Sequence, residues 1–150
     1  MVTVHQQYLY YVFIDFKKAF DGVWHAALWA TMEKYNISAN LIRVIKNLYD
    51  KATSAVLFSS SIRCWFRTTV GVQQGCLLSP TLINILLERI MVDALEDHEG
   101  TVSTGGRTIT NFRFADDIDG LAGEEEELAN SVERLDKAST DYAMEISAGN

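Results

Sequence analysis

Several things are scarce in these 150 residues, and each scarcity excludes something. No apolar run approaches the ~20 residues that cross a bilayer. The N-terminal stretch YLYYVFI is too short for a span and lacks the basic flank of a secretory signal, so no membrane association is expected. Cysteine occurs twice. Cys64 and Cys76 have no CxxC spacing, which argues against both a zinc site and a disulfide framework and fits a reducing, intracellular compartment, nucleus or cytoplasm. Lysine and arginine are absent from the fourteen residues before Asp15. Repeats, linkers and low-complexity tracts are missing as well. With 48% hydrophobic residues, the chain can bury one core and is expected to form one domain, residues 1–150.

The formal net charge of −7 conceals two opposite halves. Residues 1–75 carry eight Lys or Arg and four Asp or Glu, net +4, and residues 76–150 carry five and sixteen, net −11. The total opposes a nucleic-acid binder, which usually shows a basic footprint, and the basic half keeps that reading open.

Residues 8–15 are aromatic and β-branched and predict a buried strand ending at Asp15. A helix follows over about 24–35, with Asp21 a candidate cap at its start. Another begins after Ser38, a candidate N-cap, with Leu41, Ile42, Ile45, Leu48 and Tyr49 on one face. Residues 53–59 and 62–70 predict a hairpin turning near Ser59–Ser61. A long helix over about 80–96 places Pro80 in its first turn and Leu82, Ile83, Leu86, Ile90, Met91 and Ala94 in a buried stripe. Strands then turn at Gly105–Gly106 and at Asp116–Asp117. A last helix opens on Glu124–Glu127, acids that complement its dipole, and buries Leu128, Val132, Leu135 and Ala138. MEIS, residues 144–147, predicts a final strand. This order implies an α+β fold, with helices on one side of a sheet.

Chemistry concentrates in RFADDIDG, residues 113–120, where Asp116 and Asp117 adjoin and Asp119 follows. Like charges so close repel. Adjacent strand residues point to opposite faces, so the pair shares a ligand only where the strand bends. A solvated, turn-favouring Asp pair is one reading. A divalent cation, held together with Asp15 from a neighbouring strand, is the other. An EF-hand does not fit: with Gly120 as the sixth loop residue, the first is Ala115, which has no carboxylate.

Three segments in order, VFIDFKKAFDGVWHAALW, TTVGVQQGCLLSPTLINI and RFADDIDGLAG, resemble motifs A, B and C of reverse transcriptases, most closely those of non-LTR (LINE-type) retrotransposons. The resemblance runs over nearly the whole chain. It implies a right-hand polymerase palm: an antiparallel sheet with helices on one face, and fingers and thumb largely absent. It also implies an RNA-directed DNA polymerase that transfers a nucleotide from a dNTP to a DNA primer 3′-hydroxyl on an RNA template.

By the same resemblance, Asp15, Asp116 and Asp117 are the catalytic carboxylates and hold two Mg²⁺ ions, with Mn²⁺ as a substitute. Phe20 matches the aromatic gate against the ribonucleotide 2′-hydroxyl, with a plain core aromatic as the alternative. Phe16, through its carbonyl, and Lys18 and Ala19, through their backbone, lie near the metal and triphosphate. Gln74 and Gly75 line the nucleotide pocket, and Ser79, Pro80 and Asn84 lie beneath the template–primer. Asn84 is equally a surface amide, and Lys17 and Lys18 equally a solvated pair. His5, His25 and His98 have no partner spacing and receive no role.

Departures from the family pattern are Ala143 in place of a common glycine and Gln73 in place of a frequent basic residue. The expected fingers region, late lysine, primer-gripping hairpin and thumb are missing from these residues, and an endonuclease domain is a candidate part of the full-length protein. A second expectation is therefore a catalytically inert retroelement remnant.

Overall fold

The computed structural model describes residues 8–96, 100–104, 107–114 and 116–147. In chain order the elements are β1 (Tyr10–Ile14), α1 (Ala19–Gly22), α2 (His25–Lys34), α3 (Ala39–Asp50), β2 (Thr53–Phe58), β3 (Ser61–Arg67), α4 (Ser79–Leu95), β4 (Ser103–Thr104), β5 (Arg107–Thr108), β6 (Asn111–Phe114), β7 (Asp117–Ala122) and α5 (Glu125–Asp141). The α+β class is as expected. The predicted turn at Gly105–Gly106 lies outside the described residues.

The central sheet has the order β1-β7-β6, antiparallel throughout. Ile14 of β1 faces Ile118 of β7, and both are buried. Side chains alternate across a strand, so Tyr10, Val12 and Ile14 turn toward the helices while Tyr11 and Phe13 remain exposed. The sequence predicts β1 as buried through and through. Only one face is covered, because the helices α4 and α5 lie on one side of the sheet. Gly120 of β7 sits on that covered side, where an added Cβ would lie 3.0 Å from Val12.

Helix α4 buries a stripe of Leu82, Ile83, Leu86, Leu87, Ile90, Met91 and Ala94 and contacts α2 and α5. In α5, Leu135 and Ala138 are buried while Leu128 and Val132 are half-buried. Helix α3 departs from its predicted face: Ile42 and Ile45 are buried, but Leu41 and Leu48 are more than half exposed. Its helix neighbour is α2, which covers one narrow strip of it. The β2–β3 hairpin forms as predicted, with a bulge near Val56–Leu57, and nearly all of it is exposed.

Residues 144–147 supply a short antiparallel bridge, Phe16 to Ile146, with backbone bonds from Lys17 N to Glu145 O (2.8 Å) and Ser147 N to Asp15 O (2.7 Å). Ala143, which opens this return, has φ 57. That is the left-handed region, which explains why glycine suits the position. Asp21 lies within α1 rather than capping a helix. Ser38 occupies the N-cap of α3 without a side-chain cap bond.

Tyr142, at the end of α5, donates to Asp93 Oδ2 on α4 at 2.6 Å, and Arg89 pairs with the same carboxylate. Burial, then the bond to Asp93, raises the Tyr142 phenol above its ordinary 10.0. A raised native value makes the contribution to stability full below the unfolded value and lost as pH climbs from there through the native one. Stability is therefore expected to fall above about pH 10, less so in Tyr142→Phe, as read by urea unfolding at stepped pH. Leu86→Ala, at a fully buried site, is expected to cost about 2–5 kcal/mol. Leu48→Ala is expected to cost under about 0.5 kcal/mol, and equal costs in denaturant titrations would contradict the packing described.

Candidate functional site

Two clusters of the expected residues emerge. The first is at one end of the sheet. The pairing of Phe114 with Asp117 places Asp116 in the connection between β6 and β7. The β1–β7 register, carried one residue beyond Ile14–Ile118, sets Asp15 against Asp117. Asp15 and Asp117 share the alternation of Phe13 and Asp119, so both belong to the face away from the helices. Both are exposed, and Asp116 is half-buried in the turn. Acids about a hundred residues apart in the chain thus lie toward the same end of the sheet. Among the described residues, no group of three His, Cys, Asp or Glu side chains is close enough to hold a metal ion.

Carboxylate oxygens are hard donors, the type Mg²⁺ takes, and an exposed sheet edge leaves room for water and phosphate around such an ion. By donor type alone, these carboxylates suit a divalent cation. The antiparallel bridge to Ile146 uses the backbone of Asp15 and Lys17, which leaves the Phe16 carbonyl directed away from it. The Phe16 ring itself is buried in the core.

Directly after β1, Lys18 adopts φ 49, ψ 45 and caps α1, its carbonyl accepting from Asp21 N and Gly22 N at 2.8 Å each. A non-glycine residue in this conformation is strained, and such strain concentrates at functional sites. Lys17 pairs with Glu145, whereas the Lys18 side chain is exposed. Ala19 is buried, and Phe20 packs half-buried against the core.

The second cluster joins segment 20–25 to segment 70–74. Gly71 N donates to Val23 O at 2.8 Å, and Val72 N donates to Phe20 O at 2.7 Å. Trp24 and Val70 form an antiparallel bridge. Gly71 has φ 86, and a Cβ there would lie 3.0 Å from the Asp21 carbonyl oxygen. Gln74 Nε2 donates to Asp21 Oδ1 at 3.2 Å. Gln74 and Asp21 line a cleft of about 860 Å³ whose lining also includes Leu48, Tyr49, Thr53 and Ser54. Gly75 has φ 82 with open space beside it.

Ser79 is fully buried, and its Oγ donates to Gln73 O at 2.6 Å, so this hydroxyl fastens the loop to the first turn of α4. Pro80 and Asn84 are exposed on α4. His25, given no role from the sequence for lack of partner spacing, places its Nε2 2.7 Å from the Gly71 carbonyl. A backbone partner 46 residues away leaves no side-chain pattern by which to find it.

Residues 1–149 match the family model described as "Reverse transcriptase (RNA-dependent DNA polymerase)". The chain is 28% identical over 138 residues to a retrovirus-related Pol polyprotein from the type-1 retrotransposable element R2 of Nasonia vitripennis, covering 92% of this chain and 13% of that protein. It is 28% identical to the R2 counterpart of Popillia japonica, covering 81% and 20%. Similarity extends to a probable RNA-directed DNA polymerase from transposon X-element of Drosophila melanogaster, 32% identical over 51% of this chain and 8% of that protein. The chain thus spans a fifth or less of these relatives. Among solved structures, apo telomerase from Candida tropicalis, truncated from its C-terminal domain, aligns with a TM-score of 0.66 at 19% identity, over 93% of this chain and 29% of that one. At that identity the likeness is one of fold.

Ser79→Ala removes the donor to the Gln73 carbonyl, and the expected loss is about 1–2 kcal/mol. It should appear as a lower urea midpoint with an unchanged slope.

Proposed function

Because the chain belongs to the reverse transcriptase (RNA-dependent DNA polymerase) family, we propose that it is the palm of an RNA-directed DNA polymerase. The observation that carries the proposal is the β1–β7 register, which supports a shared site for Asp15, Asp116 and Asp117. In this reading the primer 3′-hydroxyl attacks the α-phosphate of a dNTP, and pyrophosphate leaves. Two Mg²⁺ ions, or Mn²⁺ in their place, would be held by Asp15, Asp116 and Asp117, and when bound they supply positive charge to the attacking and leaving oxygens.

The chain's own residues would frame the reaction. The Phe16 carbonyl faces the metal side, and the backbone of Lys18 and Ala19 meets the triphosphate. Phe20 excludes a 2′-hydroxyl, and its half-buried ring limits movement. Gln74 and Gly75 line the nucleotide pocket, where the open space beside Gly75 admits a ligand close to the backbone. Pro80 and Asn84 lie toward the template–primer, and Ser79 holds the loop that precedes them. Residues 1–150 act as the palm unit, while the basic grip on the RNA template and DNA primer, and any endonuclease, belong to the longer protein.

The alternative, a catalytically inert chain, is favoured by one observation: no three potential ligands are gathered among the described residues. Primer extension with Mg²⁺, an RNA template and a DNA primer separates the two. Incorporation by the 150-residue chain supports the polymerase; its absence supports the inert reading. Where incorporation occurs, Asp116→Asn is expected to lower it about a thousandfold, the equivalent of several kcal/mol of lost charge stabilisation. Undiminished synthesis by that variant would refute the assignment.

A further inference from the structure

We propose that His25 is a positioning residue for the nucleotide pocket, acting through the Gly71 carbonyl on the loop that carries Gln74 and Gly75. The inference rests on the polymerase reading for the pocket's purpose, and on geometry alone for the tether. A carbonyl only accepts hydrogen bonds, so the ring nitrogen 2.7 Å from Gly71 O is protonated, and the neutral ring is the Nε2–H tautomer.

The tether completes a grip on one peptide unit. Gly71 is held by its N–H to Val23 O, by close packing against the Asp21 backbone and by its C=O to His25. Three residues later Gln74 reaches back to Asp21, and the adjoining Val72 N–H binds the carbonyl of Phe20. The gate candidate and the pocket candidates therefore share one clasp. His25 brings a side-chain donor from α2 to this loop, as Ser79 brings one from α4 to the Gln73 carbonyl.

The ring is itself fixed. Tyr49 of α3 meets it edge-on with centroids 5.1 Å apart, and Trp29 of α2 lies tilted at 5.8 Å. Tyr49 and Gly71 both line the 860 Å³ cleft. The orientation of His25 thus passes from two packed helices to the cleft wall. A histidine serving packing alone would need the ring and not the donor.

Two variants separate these roles. His25→Phe keeps a ring against Trp29 and Tyr49 and deletes the donor, whereas His25→Gln restores a donor without the ring. In the 150-residue chain, His25→Phe is expected to speed amide exchange at Gly71 and Val72 at least tenfold, with Leu86 and Ile90 in α4 unchanged. It is also expected to weaken dTTP binding with Mg²⁺ five- to twentyfold, with His25→Gln within threefold of the parent in both readouts. Unaltered exchange in His25→Phe, or equal damage in both variants, would overturn the proposal. If the parent chain binds no dTTP, the polymerase reading fails, and the exchange comparison by itself decides whether His25 positions the loop.

Discussion

Ile14 and Ile118 face one another across β1 and β7, and both are buried against the helices. That opposition fixes which side of the sheet every neighbouring residue takes. A slip of one residue would turn Ile118 outward and drive Asp117 or Asp119 under α5. Burying a carboxylate without a partner costs far more than the register gains from any single contact. The apolar side of the sheet therefore dictates the placement of its acidic side. The acids occupy the exposed edge because the isoleucines occupy the covered one.

The same logic explains the charge distribution. The C-terminal half gathers most of the carboxylates, yet few of them lie at the sheet edge. Glu125, Glu126 and Glu127 sit in the first turn of α5, where the helix dipole favours acids. Glu127 also binds Thr101, whose hydroxyl accepts from Gly123 N, so one acid ties the 101 segment to the start of α5. Asp93, Glu88 and Glu145 are each paired with a cation. Much of the acidity is structural, and the net charge by itself says little about a partner.

How far the sequence could be read followed from how strongly each residue's neighbours are local. The stripe of α4 was plain because that helix is covered along its length, and the hydrophobic period then matches burial residue by residue. The face of α3 was overdrawn. Leu41 and Leu48 fit the same period, but periodicity does not report how wide a neighbour is. The strand at 8–15 was right in type and wrong in burial, since Tyr11 and Phe13 are apolar on an uncovered face. Asp21 resembled a cap because α1 is too short to show a period. Of the candidate site, the three acids were singled out through motif context, and the fold pairs β1 with β7 beside them. The clasp around Gly71 was not, because it is built almost entirely from backbone groups, which every residue possesses alike.

The β2–β3 hairpin presents Leu57, Phe58, Ile62, Trp65 and Phe66 outward, with Arg63 lying 5.8 Å from the Phe58 ring. An isolated two-stranded ribbon is only marginally stable in water. Its ladder should accordingly open and close independently of the central core, as a separate cooperative unit. While closed it offers two backbone edges without a strand partner among the described residues, the kind of edge that an extended strand from another chain can join.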